Sequence, residues 1–352
     1  MSSAKKTGDS ARQADDPGEA PLTTAAVKRL YDRPPSFTDL FPWVEYDPDS
    51  RSFLLEDGIS VGALFEITPA GTEARTPQFM KQLRDAIQSA LTDAIPEDDE
   101  APWILQVYVQ DEPSLMEFQQ AVAAYAVPKA RRTAFTQHFQ DTFAQHLERI
   151  TRPGGLFEDT AVTGTQWRGQ VRRVRATLYR RLKLKGKTPS AFEVEEAMND
   201  VATKWVASLA SAGIQVRRCT GKDLYEWLLK WFTPEPAIAQ GDPDKLLELA
   251  PYPGDEDLPF GYDLAERLTL TMPRSDNTTA TWWFDGLPHT VVTIRGLRRA
   301  PEVGHLTAER QAGDNVFSLF DRLPEHTVMV MTLTVKPQDV TRNHIAQVKR
   351  AA

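Results

Sequence analysis

The most regular pattern of apolar and polar positions lies in residues 36–71. Ile59, Val61, Ala63, Phe65 and Ile67 alternate with Ser60, Gly62, Leu64, Glu66 and Thr68. A period of two predicts a strand with one buried face. Upstream, Asp47-Pro48-Asp49-Ser50 reads as a turn, because Pro48 presets its backbone angle and the aspartates bond back to nearby amides. Asp57-Gly58 reads as a second turn, since a two-residue hairpin loop needs positive φ and Gly58 supplies it. The stretch therefore predicts a meander of short strands that opens the ordered chain. Residues 1–35 are rich in Ser, Ala, Asp, Lys and Pro. They cannot bury enough apolar surface to offset their ordering entropy, so they read as a disordered tail.

The period then changes. Thr76-Pro77 is a helix start, with Thr76 as cap and Pro77 where no amide is needed. Phe79, Met80, Leu83, Ile87 and Leu91 follow on one face. Trp103, Leu105, Val107 and Val109 alternate in a strand. Helical sequence follows, broken near Pro128, and Phe135, Phe139, Phe143 and Leu147 then recur every four residues until Pro153-Gly154-Gly155. Ser190 to Glu193 forms a capping box for a helix through Trp205 and Leu209. Ile214 to Arg218 is a short strand, and Thr220 caps a helix carrying Leu224, Trp227, Leu228 and Trp231. Beyond it, Arg267 to Met272, Thr281 to Phe284, His289 to Ile294 and Thr327 to Val335 read as strands, with Asp285-Gly286 a turn. Helices are expected near 309–323 and from Asp339.

Residues 168–187 fit two patterns. Val171, Val174, Leu178 and Leu182 would line a helix face. Val174, Ala176, Leu178, Leu182 and Leu184 would line a strand face, interrupted by Arg180. The strand is favoured because β-branched and aromatic residues interleave with the arginines. Strands and helices mix without regular βαβ alternation, so the class is α+β, with largely antiparallel sheets and packed helices. Residues 36–233 read as an N-terminal α+β domain. The Pro-, Gly- and Asp-rich residues 234–262 read as a linker. Residues 263–352 read as a second α+β segment.

Composition narrows the function classes. No run approaches the ~20 apolar residues of a membrane span. One cysteine, Cys219, excludes an intrachain disulfide framework. The formal net charge of -8 does not favour nucleic acid, so only a local basic patch could argue for it. A Walker A loop needs Gly-x-x-x-x-Gly-Lys-Ser/Thr. The nearest match, Thr220-Gly221-Lys222, has Val216 at the first glycine and Asp223 at the hydroxyl position. The histidines lack metal-ligand spacing, and the paired carboxylates fit turns, helix starts and linker solubility. Cys219 sits beside Arg217 and Arg218, which could lower its pKa, but no nucleophile signature surrounds it. No catalytic, cofactor-binding or metal-binding residue is therefore assigned.

The strongest local signal is basic. Arg168, Arg172, Arg173, Arg175, Arg180, Arg181, Lys183, Lys185 and Lys187 occur with no acid between Thr160 and Ser190. Such a stripe could meet an acidic partner, an anionic inner leaflet or nucleic acid. It could equally be a solvated face neutralised by acids elsewhere. In a strand register, reversing Arg173, Arg175 and Arg181 to Glu is expected to abolish such binding and leave folding intact.

Several of these pieces together resemble a known family. The opening meander with its Tyr-Asp-Pro and Glu-Asp-Gly turns is one. The others are the helix ending in Ala207-Ser-Leu-Ala-Ser-Ala-Gly-Ile-Gln-Val216, the helix from Asp223 to Pro234, and Arg322-Leu-Pro-Glu-His-Thr-Val-Met-Val-Met331 leading to Pro337. Their order, over most of 36–352, is similar to the N-terminal region of TraC-type ATPases of conjugative type IV secretion. The resemblance implies a P-loop ATPase domain after this region, so that ATP and Mg belong there. It implies that these residues are a non-catalytic docking and assembly domain. It also implies a cytoplasmic place at the inner membrane, other secretion subunits as partners, and a hexameric full-length protein. The alternative is a free-standing nucleic-acid-binding accessory protein of the transfer apparatus.

Overall fold

The computed structural model describes residues 37–72, 74–112, 114–158, 160, 166–182, 189–254, 264–269, 271–293 and 327–351. The tail expected at 1–35, the helix expected at 309–323, and Lys183, Lys185 and Lys187 lie outside these. The chain divides into two units, up to Phe41 and from Pro42 onward. Of the first, the structure describes a single 3-10 turn, Phe37–Leu40, with the Phe37 and Phe41 rings edge-on at 5.1 Å.

The second unit is built on one antiparallel sheet. The meander forms as its pattern predicts, as β1 (Trp43–Asp47), β2 (Ser52–Leu55) and β3 (Val61–Thr68). Asp47 accepts from the Asp49 and Ser50 amides, which closes the first turn. The second turn is longer than a two-residue loop: Leu55 N donates to Ser60 O, Gly58 sits at φ 70, and Asp57 accepts from the Ile59 and Ser60 amides. The helix α1 (Pro77–Ala94) follows, capped by Thr76, then β4 (Trp103–Glu112). Helices α2 (Met116–Tyr125), α3 (Pro128–Arg131) and α4 (Ala134–Ile150) make a hairpin broken at Pro128. A two-strand ribbon, β5 (Phe157–Glu158) with β6 (Gln166–Trp167), leads into β7 (Val171–Arg180). Within the ambiguous stretch, Val171–Arg180 is thus a strand.

Next come α5 (Ala191–Ser211), β8 (Gln215–Arg218) and α6 (Gly221–Phe232). Both helices start with capping boxes, Ser190 with Glu193 and Thr220 with Asp223. Then follow α7 (Pro243–Leu249), α8 (Leu264–Arg267), β9 (Arg274–Asp276), β10 (Thr281–Phe284), β11 (Leu287–Thr290), β12 (Val328–Val335) and α9 (Gln338–Ala351). The sheet order is β1-β2-β3-β7-β4-β12, with β8 also on β3, and every pairing is antiparallel.

Each face of this sheet is covered differently. One face is apolar: Val61, Ala63, Phe65, Trp103, Leu105, Ala176 and Leu178 pack under α1 and α5, with the Phe65 and Trp205 rings edge-on at 5.0 Å. The other lies against α6, where the Tyr108 and Trp227 rings meet at 5.2 Å. One expectation is corrected here. The period of two predicts one buried face for β3, yet Leu64 on the opposite face is also buried. A central strand between two layers buries both.

Two more corrections concern the second half. The supposed linker 234–262 is folded where it is described: Ala239 and Leu246 are fully buried, and Tyr225 donates to Ala250 O at 2.9 Å. The supposed second segment is not separate either, because β12 pairs with β4 along its whole length, from Val328 opposite Gln110 to Val335 opposite Trp103. The strand expected from Arg267 to Met272 is instead the end of the single helical turn α8 and the chain leaving it.

Candidate interaction site on the arginine strand

The described arginines of the basic stripe are brought together by β7 and its neighbours, and so are acids that lie far away in sequence. On the face under α6, Glu66 of β3 stands opposite Arg175 of β7 and Arg217 of β8. The cross-strand neighbours then assemble a chain of ion pairs. Arg217 donates to Asp223 at 3.0 Å and to Glu66 at 2.6 Å. Arg173 donates to Glu66 at 3.2 Å, to Glu112 at 3.1 Å, and to Glu117. Arg175 donates to Glu112 at 2.8 Å and lies over the Trp227 ring at 4.8 Å. Trp227 in turn donates to the buried Gln110 at 2.9 Å. Asp223, Arg217, Glu66, Arg173, Glu112 and Arg175 thus form a continuous alternation of charge.

Remaining members of the stripe are also paired. Arg172 is bidentate on Asp111, at 2.8 and 2.9 Å. Arg180 donates to Asp98 and to Ala101 O, and stacks over Trp103 at 5.7 Å. Arg181 pairs with Glu56 at 2.6 Å, with both side chains near half exposed. Arg168 is half-buried just before the strand. The basic run is therefore matched, for Arg172, Arg173, Arg175, Arg180 and Arg181, by carboxylates of the same fold.

Burial decides which of these pairs carry weight. The Arg173 and Arg175 side chains are 19% and 14% exposed. Burial works against the Arg173 charge, but the bonds to Glu117 and Glu112 outweigh it and hold the guanidinium above its ordinary pKa. Arg217 is likewise held above its ordinary value, chiefly by its bond to Asp223. Arg218 behaves oppositely. Its partners are Asn199 and Ser52 rather than an acid, and burial pulls its pKa down to about 10.

Thr220-Gly221-Lys222, the nearest approach to a phosphate loop, is a helix start with its groups already engaged. The Thr220 hydroxyl accepts from Asp223 N at 3.3 Å, and Asp223 accepts from Thr220 N at 2.7 Å. Gly221 is explained by packing, since a Cβ there would come within 2.9 Å of the Tyr46 Cβ and also strike the Tyr252 hydroxyl. Lys222 points outward to Glu226 at 3.7 Å. Cys219 is buried, and burial pushes its thiol up to about 12, which leaves it protonated at neutral pH. His289 belongs to an aromatic cluster with Trp231, Phe232 and Phe284. Among the described residues, no group of three or more His, Cys, Asp or Glu side chains could hold a metal ion.

Asp223 links the cap to the network, and its titration gives a test. Burial raises its pKa, but the bonds from Arg217 and Thr220 outweigh that and hold it below the usual aspartate range. A depressed carboxylate contributes stability that is full above its unfolded pKa and is lost as pH falls through the folded value. Asp223→Asn is therefore expected to cost about 1–2 kcal/mol at neutral pH. The gap to wild type should close below about pH 4. A gap that stays constant in denaturation curves carried well below that pH would show that the Asp223 charge is not what holds this corner.

A mixed antiparallel α+β protein, with a sheet that is apolar on one face and ion-paired on the other, is thus what the fold and site define. The family model described as TraC protein, of F-type conjugative transfer, matches residues 37–352, and this chain belongs to that family. It is a component of conjugative transfer. No curated protein matches it. No helix among the described residues is long and apolar enough to cross a membrane.

Proposed function

We propose that residues 37–352 are the docking and assembly portion of a conjugative type IV secretion ATPase, and that they carry no nucleotide chemistry themselves. The observation that carries this reading is the family match, which spans every described residue. The helix start at Thr220 adds support, because its hydroxyl and the following aspartate cap each other and leave no cradle for phosphate. In this reading the portion sits on the cytoplasmic side of the inner membrane and contacts other secretion subunits. ATP and Mg are used by the P-loop domain that the family carries, in a hexamer. The nucleic-acid alternative draws no support from β7, whose described arginines face carboxylates instead of an open groove.

Two measurements test this proposal. Affinity-tagged chain is expected to bring down other type IV secretion subunits from detergent-solubilised membranes of cells that carry the transfer system. Recovery of the chain alone would contradict docking. Calorimetry with Mg-ATP is expected to show no micromolar binding. ATP turnover that disappears in Lys222→Ala would overturn the non-catalytic assignment.

A further inference from the structure

The hairpin of α2, α3 and α4 has an apolar surface that the other described residues leave exposed. No residue of α2 is buried, and in α4 only Leu147 is. The first half of the four-residue repeat lies on the outside: Phe135 is 81% exposed and Phe139 is 52% exposed. Phe139 stacks on Phe143 at 5.9 Å, and Phe118 of α2 joins them at 6.1 Å from Phe143. Towards the break at Pro128 the exposure increases, with Tyr125 at 92%. An apolar stripe of this kind in water calls for an occupant.

Charge indicates which occupant. From Phe118 to Gln140 the chain has no acid, while Lys129, Arg131 and Arg132 cluster at the bend. This lies within a chain of net charge -8. Lys129 and Arg132 are exposed. Arg131 donates to Ala126 O and to Ala124 O, so it fixes the bend. Two copies meeting at this bend would bring six cations together without an acid, which argues against self-association. Exposed Tyr and Phe beside Lys and Arg, with acids excluded, is the chemistry of the interface of an anionic bilayer. The base of the hairpin is tied to the chain that leads into β7. Gly169 N donates to Ile150 O at 2.7 Å, and a Cβ on Gly169 would come within 3.2 Å of the Ile150 side chain.

We propose that the bend of this hairpin is a membrane-contact element that seats Tyr125 and Phe135 in the interface of an anionic bilayer, with Lys129 and Arg132 on its headgroups. This goes beyond docking to protein subunits and does not depend on it.

The test is co-sedimentation of the whole chain with vesicles of phosphatidylcholine, and of phosphatidylcholine mixed equally with phosphatidylglycerol. Binding is expected only to the mixed vesicles, and it should weaken with salt. Lys129→Gln and Arg132→Gln should each weaken it roughly fivefold. Tyr125→Ser with Phe135→Ser should weaken it tenfold or more, on the order expected for withdrawing two aromatic side chains from the interface. All these side chains are exposed, so the melting temperature should stay unchanged. No binding to the mixed vesicles, or binding that these substitutions leave intact, would overturn the proposal. So would variants that instead lose self-association or oligonucleotide binding. Subunit capture from membranes reports separately on the docking reading.

Discussion

Arg173→Glu is expected to lower the melting temperature substantially, although Arg173 lies in a stretch that reads as a surface stripe. Its guanidinium bonds to Glu66, Glu112 and Glu117, and its side chain is 19% exposed. Reversal would place a fourth carboxylate among three that have lost a shared cation. Breaking a buried pair from one side costs about 3–5 kcal/mol. The partial exposure here brings the figure towards about 3 kcal/mol, or roughly 6–12 °C in melting temperature. Arg181→Glu is the control. Its pair with Glu56 is exposed on both sides, so the change should stay within about 1 kcal/mol. If the two variants melted together, the alternating chain of ion pairs would have no structural role. This corrects the expectation that Arg173, Arg175 and Arg181 can all be reversed without harm to the fold.

Phe65→Ala is expected to cost about 3–5 kcal/mol, the range for removing a fully buried aromatic side chain. Phe65 has no exposed surface, and its ring meets Trp205 of α5 at 5.0 Å. It lies on β3 opposite both Ala176 of β7 and Arg218 of β8. The cavity would therefore open where the sheet, α1 and α5 converge. Chemical denaturation should show a lower midpoint with an unchanged slope. A loss below about 1 kcal/mol would mean that the layer collapses around the gap, and that this face is less tightly packed than its burial implies.

Much of the fold was legible because its signals are local. Thr76-Pro77, Ser190 with Glu193, and Thr220 with Asp223 mark helix starts with side chains that bond within three residues. The alternation around Phe65 and Leu105 marks strands. What escaped depends on partners far away in the chain. Periodicity shows that Arg173 and Arg175 share a face, but not that Glu66, Glu112 and Glu117 share it with them. Glu66 is 107 residues from Arg173. The pairing of β12 with β4 spans a gap more than twice as long, since Gln106 donates to Thr332 across 226 residues. A Pro- and Gly-rich stretch says that the chain turns, but not that Leu246 within it will be buried. The hairpin was half visible. The Phe135, Phe139, Phe143 repeat gave the stripe, and the missing acids between Glu117 and Asp141 could have said that it faces outward.

The central claim is that these residues act by docking within the conjugation machinery. Its most direct test is competition in donor cells that carry the parental transfer system. Extra copies of this chain should occupy the sites that the system's own TraC-family protein needs. Transfer frequency should then fall in proportion to expression, by mass action, while cell growth and plasmid copy number stay unchanged. Transfer that remains at its normal frequency while the folded chain accumulates well above the system's own TraC-family protein would contradict this docking role.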